Sequence, residues 1–145
     1  MFKLDQQLSG DSVYIGRFDL SQLLLMNDSR YPWLILVPEI SDICELTQLE
    51  WCDQTQLLRE INIVSRVLQN KFRADKINVA SLGNVVSQLH VHCIARYKAD
   101  AAWPKPVWGQ LTPQVYAADL LAIQKQKIIT SVLSEIQSVQ EVSFS

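Results

Sequence analysis

The sequence predicts an α+β fold in which two main helices pack against an antiparallel sheet of about five strands. Five short segments are rich in apolar residues and two longer ones have helical periodicity. The connections between the early strand segments are too short for the crossovers that parallel pairing needs. With 145 residues and 48% hydrophobic content, the chain has the size of one domain with a substantial core. We therefore expect a single domain over residues 1–145.

Three strands are predicted in the first part of the chain. Residues 2–11 are polar and end in a Ser-Gly-Asp turn signal, and residues 13–18 and 22–26 then form two strand segments. Residues 27–32 are turn-rich, and residues 33–37 are almost continuously apolar before Pro38. A strand of this composition is typical of the centre of a sheet, so we expect an antiparallel meander with residues 33–37 inside it.

Two helices are predicted from start signals and apolar stripes. Thr47 and Glu50 form a capping-box pattern, after which apolar residues recur at spacings of three and four to about residue 71. Thr112 and Pro113 have the arrangement of a cap followed by a first-turn proline, which predicts a second helix from residue 113 to about 138.

The segment between the helices contains both histidines of the chain. A strand over residues 76–81 is predicted, then an interruption at residues 82–84, and a strand from about 85 to 97. Side chains alternate along a strand, so Gln88, His90 and His92 are expected on one face. In a helix the two histidines would lie about 200° apart and could not share a site. The alternation therefore predicts one face that carries the polar, potentially reactive side chains and one face that packs in the core.

Composition excludes several classes of function. A net charge of −2 argues against broad nucleic-acid binding, which needs a basic surface. No apolar run reaches the roughly 18 residues that predict a membrane span, and the polar start does not resemble a signal peptide, so we expect a cytoplasmic protein with no membrane partner. Cys44, Cys52 and Cys93 are odd in number and lack CxxC spacing; we expect three buried free thiols.

The run from Gln88 to Ile94 resembles the signature of the histidine triad family of nucleotide hydrolases and transferases, in which three histidines alternate with apolar residues. His90 falls on the middle histidine and His92 on the third, while Gln88 stands at the first. Two further features of the sequence support the resemblance: the Gly83-Asn84 pair, where the family has Gly-Gln or similar, and Asn27, where it has a nucleoside-contacting strand. The resemblance covers roughly residues 13–110.

The resemblance implies a histidine triad fold, a homodimer, and a reaction with a purine nucleotide that needs no cofactor. His90 would attack the α-phosphorus of a nucleoside phosphoramidate or dinucleoside polyphosphate and carry the nucleotidyl group until water removes it. His92 would donate a hydrogen bond to a non-bridging phosphate oxygen. We expect a backbone carbonyl to hold the second ring nitrogen of His90.

The other predicted site residues have supporting roles. Gln88 can orient its neighbours but cannot carry a proton at neutral pH, so we expect altered or weakened turnover. Gly83 and Asn84 are predicted to lie near the phosphate or leaving group. Asn27 is a candidate for the ribose hydroxyls, and equally a turn residue that caps its own backbone.

Three alternatives remain open from the sequence. The His-x-His spacing also occurs in zinc sites, although two histidines are fewer than the three or four ligands that zinc uses. The pair could simply pack in the sheet. The strongest alternative is a non-catalytic nucleotide-binding or interaction module, in which Gln88 marks lost turnover.

Overall fold

The computed structural model describes residues 1–139 and 142–145. Within them the predicted class is confirmed: five strands form one antiparallel sheet, with helices packed against it. The elements in chain order are α1 (Gln6–Asp11), β1 (Ser12–Arg17), β2 (Ser21–Met26), β3 (Trp33–Pro38), α2 (Trp51–Lys71), β4 (Lys76–Ala80), β5 (Val91–Arg96) and α3 (Ala118–Gln137). A short 3-10 turn, Leu46–Gln48, precedes α2.

The sheet has the strand order β1-β2-β3-β5-β4, which places β3 at its centre as its apolar composition predicts. Every residue of β3 is buried. The register pairs Ile35 with His92 and Trp33 with Ile94. Paired residues in an antiparallel ladder point to the same face. The central strand therefore presents Trp33 and Ile35 on the face that carries His92.

Different elements pack against the two faces of the sheet. Leu34, Leu36 and Cys93 belong to the main core, which residues of α2 and α3 complete. On the opposite face, Trp33 and Ile35 join a second cluster with residues of α1 and of the connection after β5. The predicted packing face of β5 thus lies against the helices, and His92 lies on the opposite face. The long helices support the sheet from behind, and the histidines lie in front.

Arg96, at the end of β5, is buried and only 1% exposed. Its guanidinium donates to Asp100 Oδ2 at 2.8 Å and Oδ1 at 3.1 Å. It also donates to Asn78 Oδ1 and to the Lys105 carbonyl oxygen, both at 2.8 Å. The arginine therefore fixes the connection that follows β5 rather than facing a ligand.

Several predicted boundaries were wrong, because side chains bind backbone N–H groups that a regular helix start would use differently. Residues 113–117 are not helical: Tyr116 N donates to Asn27 Oδ1 and Gln114 N to Asp28 Oδ1, so α3 begins only at Ala118. The predicted capping box at residues 47–50 is replaced by the 3-10 turn, in which Gln48 Oε1 accepts from two backbone N–H groups. No helix was predicted over residues 2–11, which are polar and end in a turn signal, but residues 6–11 form α1, and the Asp5 side chain caps its start.

The predicted histidine strand is shorter than expected, and two of the cysteines that were predicted to be buried are exposed. Residues 85–90 leave the ladder, because Leu89 N donates to the Ile43 carbonyl and regular pairing starts at Val91. Cys93 is buried, but Cys44 and Cys52 are exposed free thiols. Cys44 lies in the connection before the 3-10 turn and Cys52 in the first turn of α2, outside the core. No helix in the described part of the chain is long and apolar enough to cross a membrane.

Candidate functional site

A cavity of about 590 Å³ opens on the front face of the sheet and contains both histidines. This volume is within the range of small-molecule sites, roughly 300–1,000 Å³. Four segments form its walls: α1, the turn between β2 and β3, the loop over residues 82–86, and the connection over residues 107–115. Most of the walls come from irregular segments around a rigid sheet, which is the usual setting of a binding site.

The orientation of His90 is fixed by a backbone carbonyl, as the sequence analysis predicts. His90 Nδ1 lies 2.6 Å from the Gln88 carbonyl oxygen. A carbonyl can only accept, so Nδ1 carries the hydrogen, and in the neutral ring the lone pair is then on Nε2. His90 is 5% exposed and lines the cavity. His90 is thus set in the tautomer that a nucleophilic Nε2 requires.

His92 is held in the opposite tautomer by Trp33. The indole Nε1–H of Trp33 donates to His92 Nδ1 at 2.9 Å. Indole nitrogen is only a donor, so His92 Nδ1 must be the acceptor and the hydrogen must sit on Nε2. The His90 and His92 rings are 4.8 Å apart between centroids and nearly perpendicular, at 80°. One imidazole therefore offers a lone pair beside a second that offers an N–H.

The electrostatics keep His92 neutral. Burial, and secondly the neighbouring His90, lower the pKa of His92 from 6.5 to about 3. Protonation would also place a hydrogen on Nδ1 and break the bond from Trp33. Near neutral pH His92 is consequently a hydrogen-bond donor without a charge, and it has no second proton to give away.

Trp108 completes an aromatic cluster around His92. Its ring centroid lies 5.1 Å from that of His92 and 5.5 Å from that of Trp33, both in edge-to-face arrangements. Trp108 also lines the cavity. Trp103, on the same connection, lies beside Arg96 instead, with the guanidinium 5.8 Å from the ring centre.

Gln88 does not line the cavity, although its backbone holds His90. Its side-chain Oε1 accepts from the Asp5 N–H and its Nε2 donates to the Lys3 carbonyl, each at 2.9 Å. Both ends of the amide are therefore bonded to the N-terminal segment. The structure brings His90 and His92 together and directs the Gln88 side chain elsewhere.

The other three predicted residues all line the cavity. Asn27 Oδ1 accepts from Tyr116 N at 3.0 Å, so the side chain caps a distant segment rather than its own turn. Gly83 and Asn84 lie on the exposed loop of residues 82–86. A Cβ added at Gly83 would meet no atom within 4 Å, so packing in the protein does not require glycine there.

Two parts of the site were missed by the sequence analysis. Trp33 was assigned only to the core strand, and α1 was not predicted at all. The contact between Trp33 and His92 spans 59 positions, and no local pattern signals it. A signal for α1 was present, because Asp5 precedes the helix and caps it by accepting from Gln7 N and Leu8 N.

No group of three or more His, Cys, Asp or Glu side chains able to hold a metal occurs among residues 1–139 and 142–145. The His92 Nδ1 lone pair is already used by Trp33. The histidine pair therefore lacks the third ligand that a zinc site needs.

Comparison with known proteins places this fold and site in a family. The family model for the HIT domain, the histidine triad domain, matches residues 7–99. Three solved histidine triad proteins are similar along nearly their whole length. The protein from Marinobacter aquaeolei VT8 is 42% identical, with a TM-score of 0.90, over 92% of this chain and 98% of its own.

The other two come from rhizobia. The Sinorhizobium meliloti 1021 protein is 43% identical, with a TM-score of 0.88, over 90% of this chain and 97% of its own. The Bradyrhizobium japonicum protein is 42% identical, with a TM-score of 0.88, over 90% and 98%. No curated protein matches the chain. The chain belongs to the histidine triad family, a family of nucleotide-binding hydrolases and transferases.

Proposed function

We propose that the protein is a cytoplasmic nucleotidyl hydrolase that acts at the α-phosphate of nucleoside phosphoramidates or dinucleoside polyphosphates. The observation that carries the proposal is the pair of opposite tautomers in one cavity. His90 Nδ1 is bonded to the Gln88 carbonyl, and His92 Nδ1 accepts from Trp33. A nucleophile and a neutral donor in adjacent rings match the needs of attack at a phosphorus that bears negative oxygens.

In the first step His90 Nε2 forms a bond to the α-phosphorus, and the bond from phosphorus to the leaving group breaks. The leaving group departs with the electron pair and takes a proton from solvent. The product is a nucleotidyl group on His90 whose Nδ1–H stays bonded to the Gln88 carbonyl. His92 Nε2–H donates to a non-bridging oxygen, where charge grows in the transition state.

In the second step water attacks the same phosphorus and the bond to His90 breaks. The nucleoside monophosphate is released, the water proton goes to solvent, and His90 returns to its starting tautomer. We assign the ribose hydroxyls to Asn27, through its side-chain NH₂ since its Oδ1 is already bonded to Tyr116. Gly83 and Asn84 are assigned to the phosphate or leaving group, and we expect a purine base and a homodimer.

Substitution of the nucleophile tests this function. In His90→Ala, turnover of adenosine 5′-phosphoramidate should fall at least about a thousandfold, because the covalent route is lost. Circular dichroism and the melting temperature check that the fold is retained. Ser87→Ala is the matched control, since Ser87 is exposed and lies outside the cavity walls, and it should keep wild-type turnover. Turnover that survives in His90→Ala would reject the proposal.

A second candidate is a nucleotide-binding module without turnover. The position of Gln88 favours it, because its side chain lies outside the cavity and cannot deliver a proton to a leaving group. This candidate predicts that adenosine monophosphate binds wild type and His90→Ala about equally and that wild type shows no turnover. The two candidates therefore differ in wild-type turnover itself.

A further inference from the structure

Gln88 is bonded both to the proposed nucleophile and to the start of the chain. Its backbone carbonyl accepts from His90 Nδ1 at 2.6 Å. Its side-chain amide makes one bond to Asp5 N and one to the Lys3 carbonyl, each at 2.9 Å. A single residue thus connects the orientation of His90 to the placement of the N-terminal segment, which we define as residues 2–11.

The N-terminal segment is part of the cavity. The Asp5 carboxylate accepts from Gln7 N at 2.8 Å and Leu8 N at 3.4 Å, which caps α1. Leu8 is 5% exposed and packs in the same cluster as Trp33 and Ile35. The far end of the segment is secured as well, because Asn27 N donates to the Asp11 carbonyl at 3.0 Å. Four of its residues line the cavity: Gln7, Leu8, Gly10 and Asp11.

We propose that Gln88 is a positioning residue that fastens the N-terminal segment as one wall of the nucleotide cavity. Its amide presents an acceptor and a donor side by side, which match the N–H of residue 5 and the C=O of residue 3. In an imidazole the N–H and the lone pair are on separate nitrogens of a rigid ring and point in different directions. A histidine therefore cannot make both bonds from this position. The glutamine at the first place of the triad pattern is therefore a functional replacement, and histidine there would weaken the site.

The inference rests on the proposed function for the nucleotide-binding and catalytic readouts, and hydrogen exchange tests it independently. Gln88→Leu removes both side-chain bonds and keeps the carbonyl that holds His90. We expect the Kd for adenosine monophosphate, and the KM for adenosine 5′-phosphoramidate, to rise about fivefold, as the loss of one or two hydrogen bonds implies. The kcat should stay within about twofold, since the His90 carbonyl is unchanged. Hydrogen exchange of residues 5–9 should accelerate.

Asp5→Ala provides a second route to the same result. It removes the cap of α1 but leaves the Gln88 side chain in place, so we expect the same rise in Kd with the same exchange pattern. In the double variant the effects on Kd should not add, because both changes release one segment. Gln126→Leu is the control: Gln126 lies exposed on α3, bonded to Thr130, and its exchange, Kd and KM should match wild type.

Gln88→His gives the decisive comparison. We expect it to raise Kd as Gln88→Leu does and to bring no gain in turnover. Turnover above wild type in Gln88→His, or unchanged exchange of residues 5–9 in Gln88→Leu, would overturn the inference. If wild type neither binds adenosine monophosphate nor turns over substrate, the proposed function fails, while hydrogen exchange still decides whether Gln88 fastens the segment.

Discussion

At the scale of single residues, Trp33 and Trp108 both pack against the His92 ring but contribute differently. The two indole centroids lie 5.6 and 5.1 Å from that of His92. Trp33 Nε1 donates to His92 Nδ1, whereas the contact of Trp108 is between the rings. Aromatic packing alone can be supplied by phenylalanine, but the indole N–H cannot.

Trp33→Phe should therefore release the tautomer of His92 while retaining most of the packing. We expect kcat to fall about tenfold, because His92 would lack the Nε2–H that donates to the phosphate in a fraction of the molecules. Nitrogen-15 NMR of the imidazole rings should show hydrogen on both nitrogens of His92 in exchange. Trp108→Phe is the matched control and should keep hydrogen on Nε2. A single Nε2–H tautomer in Trp33→Phe would contradict this role of the indole.

The sequence was informative where the site is local. The alternation of side chains along a strand was enough to predict that His90 and His92 lie side by side. The carbonyl that holds His90 belongs to Gln88, only two residues before it. The same alternation failed for Gln88, because residues 85–90 leave the ladder and its amide finds partners more than 80 positions away. Such partners depend on the tertiary fold and leave no local pattern.

At the scale of elements, the connection between β5 and α3 is held by Arg96. The Arg96–Asp100 pair is 1% and 3% exposed and joined at 2.8 Å. Asp100 also accepts from the backbone of Tyr97, Ala102 and Trp103. Burial is the largest single influence and raises the pKa of Asp100, but the bonds from Arg96, Tyr97 and Ala102 together outweigh it, so the pKa is lowered. The connection that carries Trp108 is thus built on a buried ion pair.

Arg96→Leu should destabilise the protein strongly, because it leaves the Asp100 carboxylate buried without its partner. We expect a loss of about 3–5 kcal/mol in the free energy of unfolding, measured by urea denaturation. Arg17→Leu is the matched control. It removes the pair with Glu39, in which Arg17 is 52% exposed, and should cost less than about 1 kcal/mol. Equal losses of unfolding free energy in the two variants would show that the buried Arg96–Asp100 pair stabilises the fold no more than an exposed pair does.

Element types were predictable and several boundaries were not. The strands and α2 follow from periodicity and turn residues, which are local properties. The start of α3 was placed too early, because Asn27 and Asp28 bind backbone N–H groups of residues 114 and 116. A cap-and-proline pattern was overridden by side chains from the β2–β3 turn, a contact that only the folded chain creates.

In the molecule as a whole, the two faces of the sheet have different roles. The helices α2 and α3 bury one face, and the opposite face receives the histidines, the aromatic cluster and the N-terminal segment. The fold class was predictable because short connections restrict the topology to antiparallel neighbours. The composition of the cavity walls was predictable only in part, since α1 and the connection after β5 reach the site through tertiary packing.

Intact mass spectrometry can detect the proposed covalent intermediate on His90. Wild type mixed with adenosine 5′-phosphoramidate and quenched within seconds should gain the mass of one adenylyl group, attached to His90 and labile in acid. The same adduct should be absent from His90→Ala and present in the Ser87→Ala control. Turnover without any adduct in wild type, or an adduct that persists in His90→Ala, would contradict the covalent mechanism.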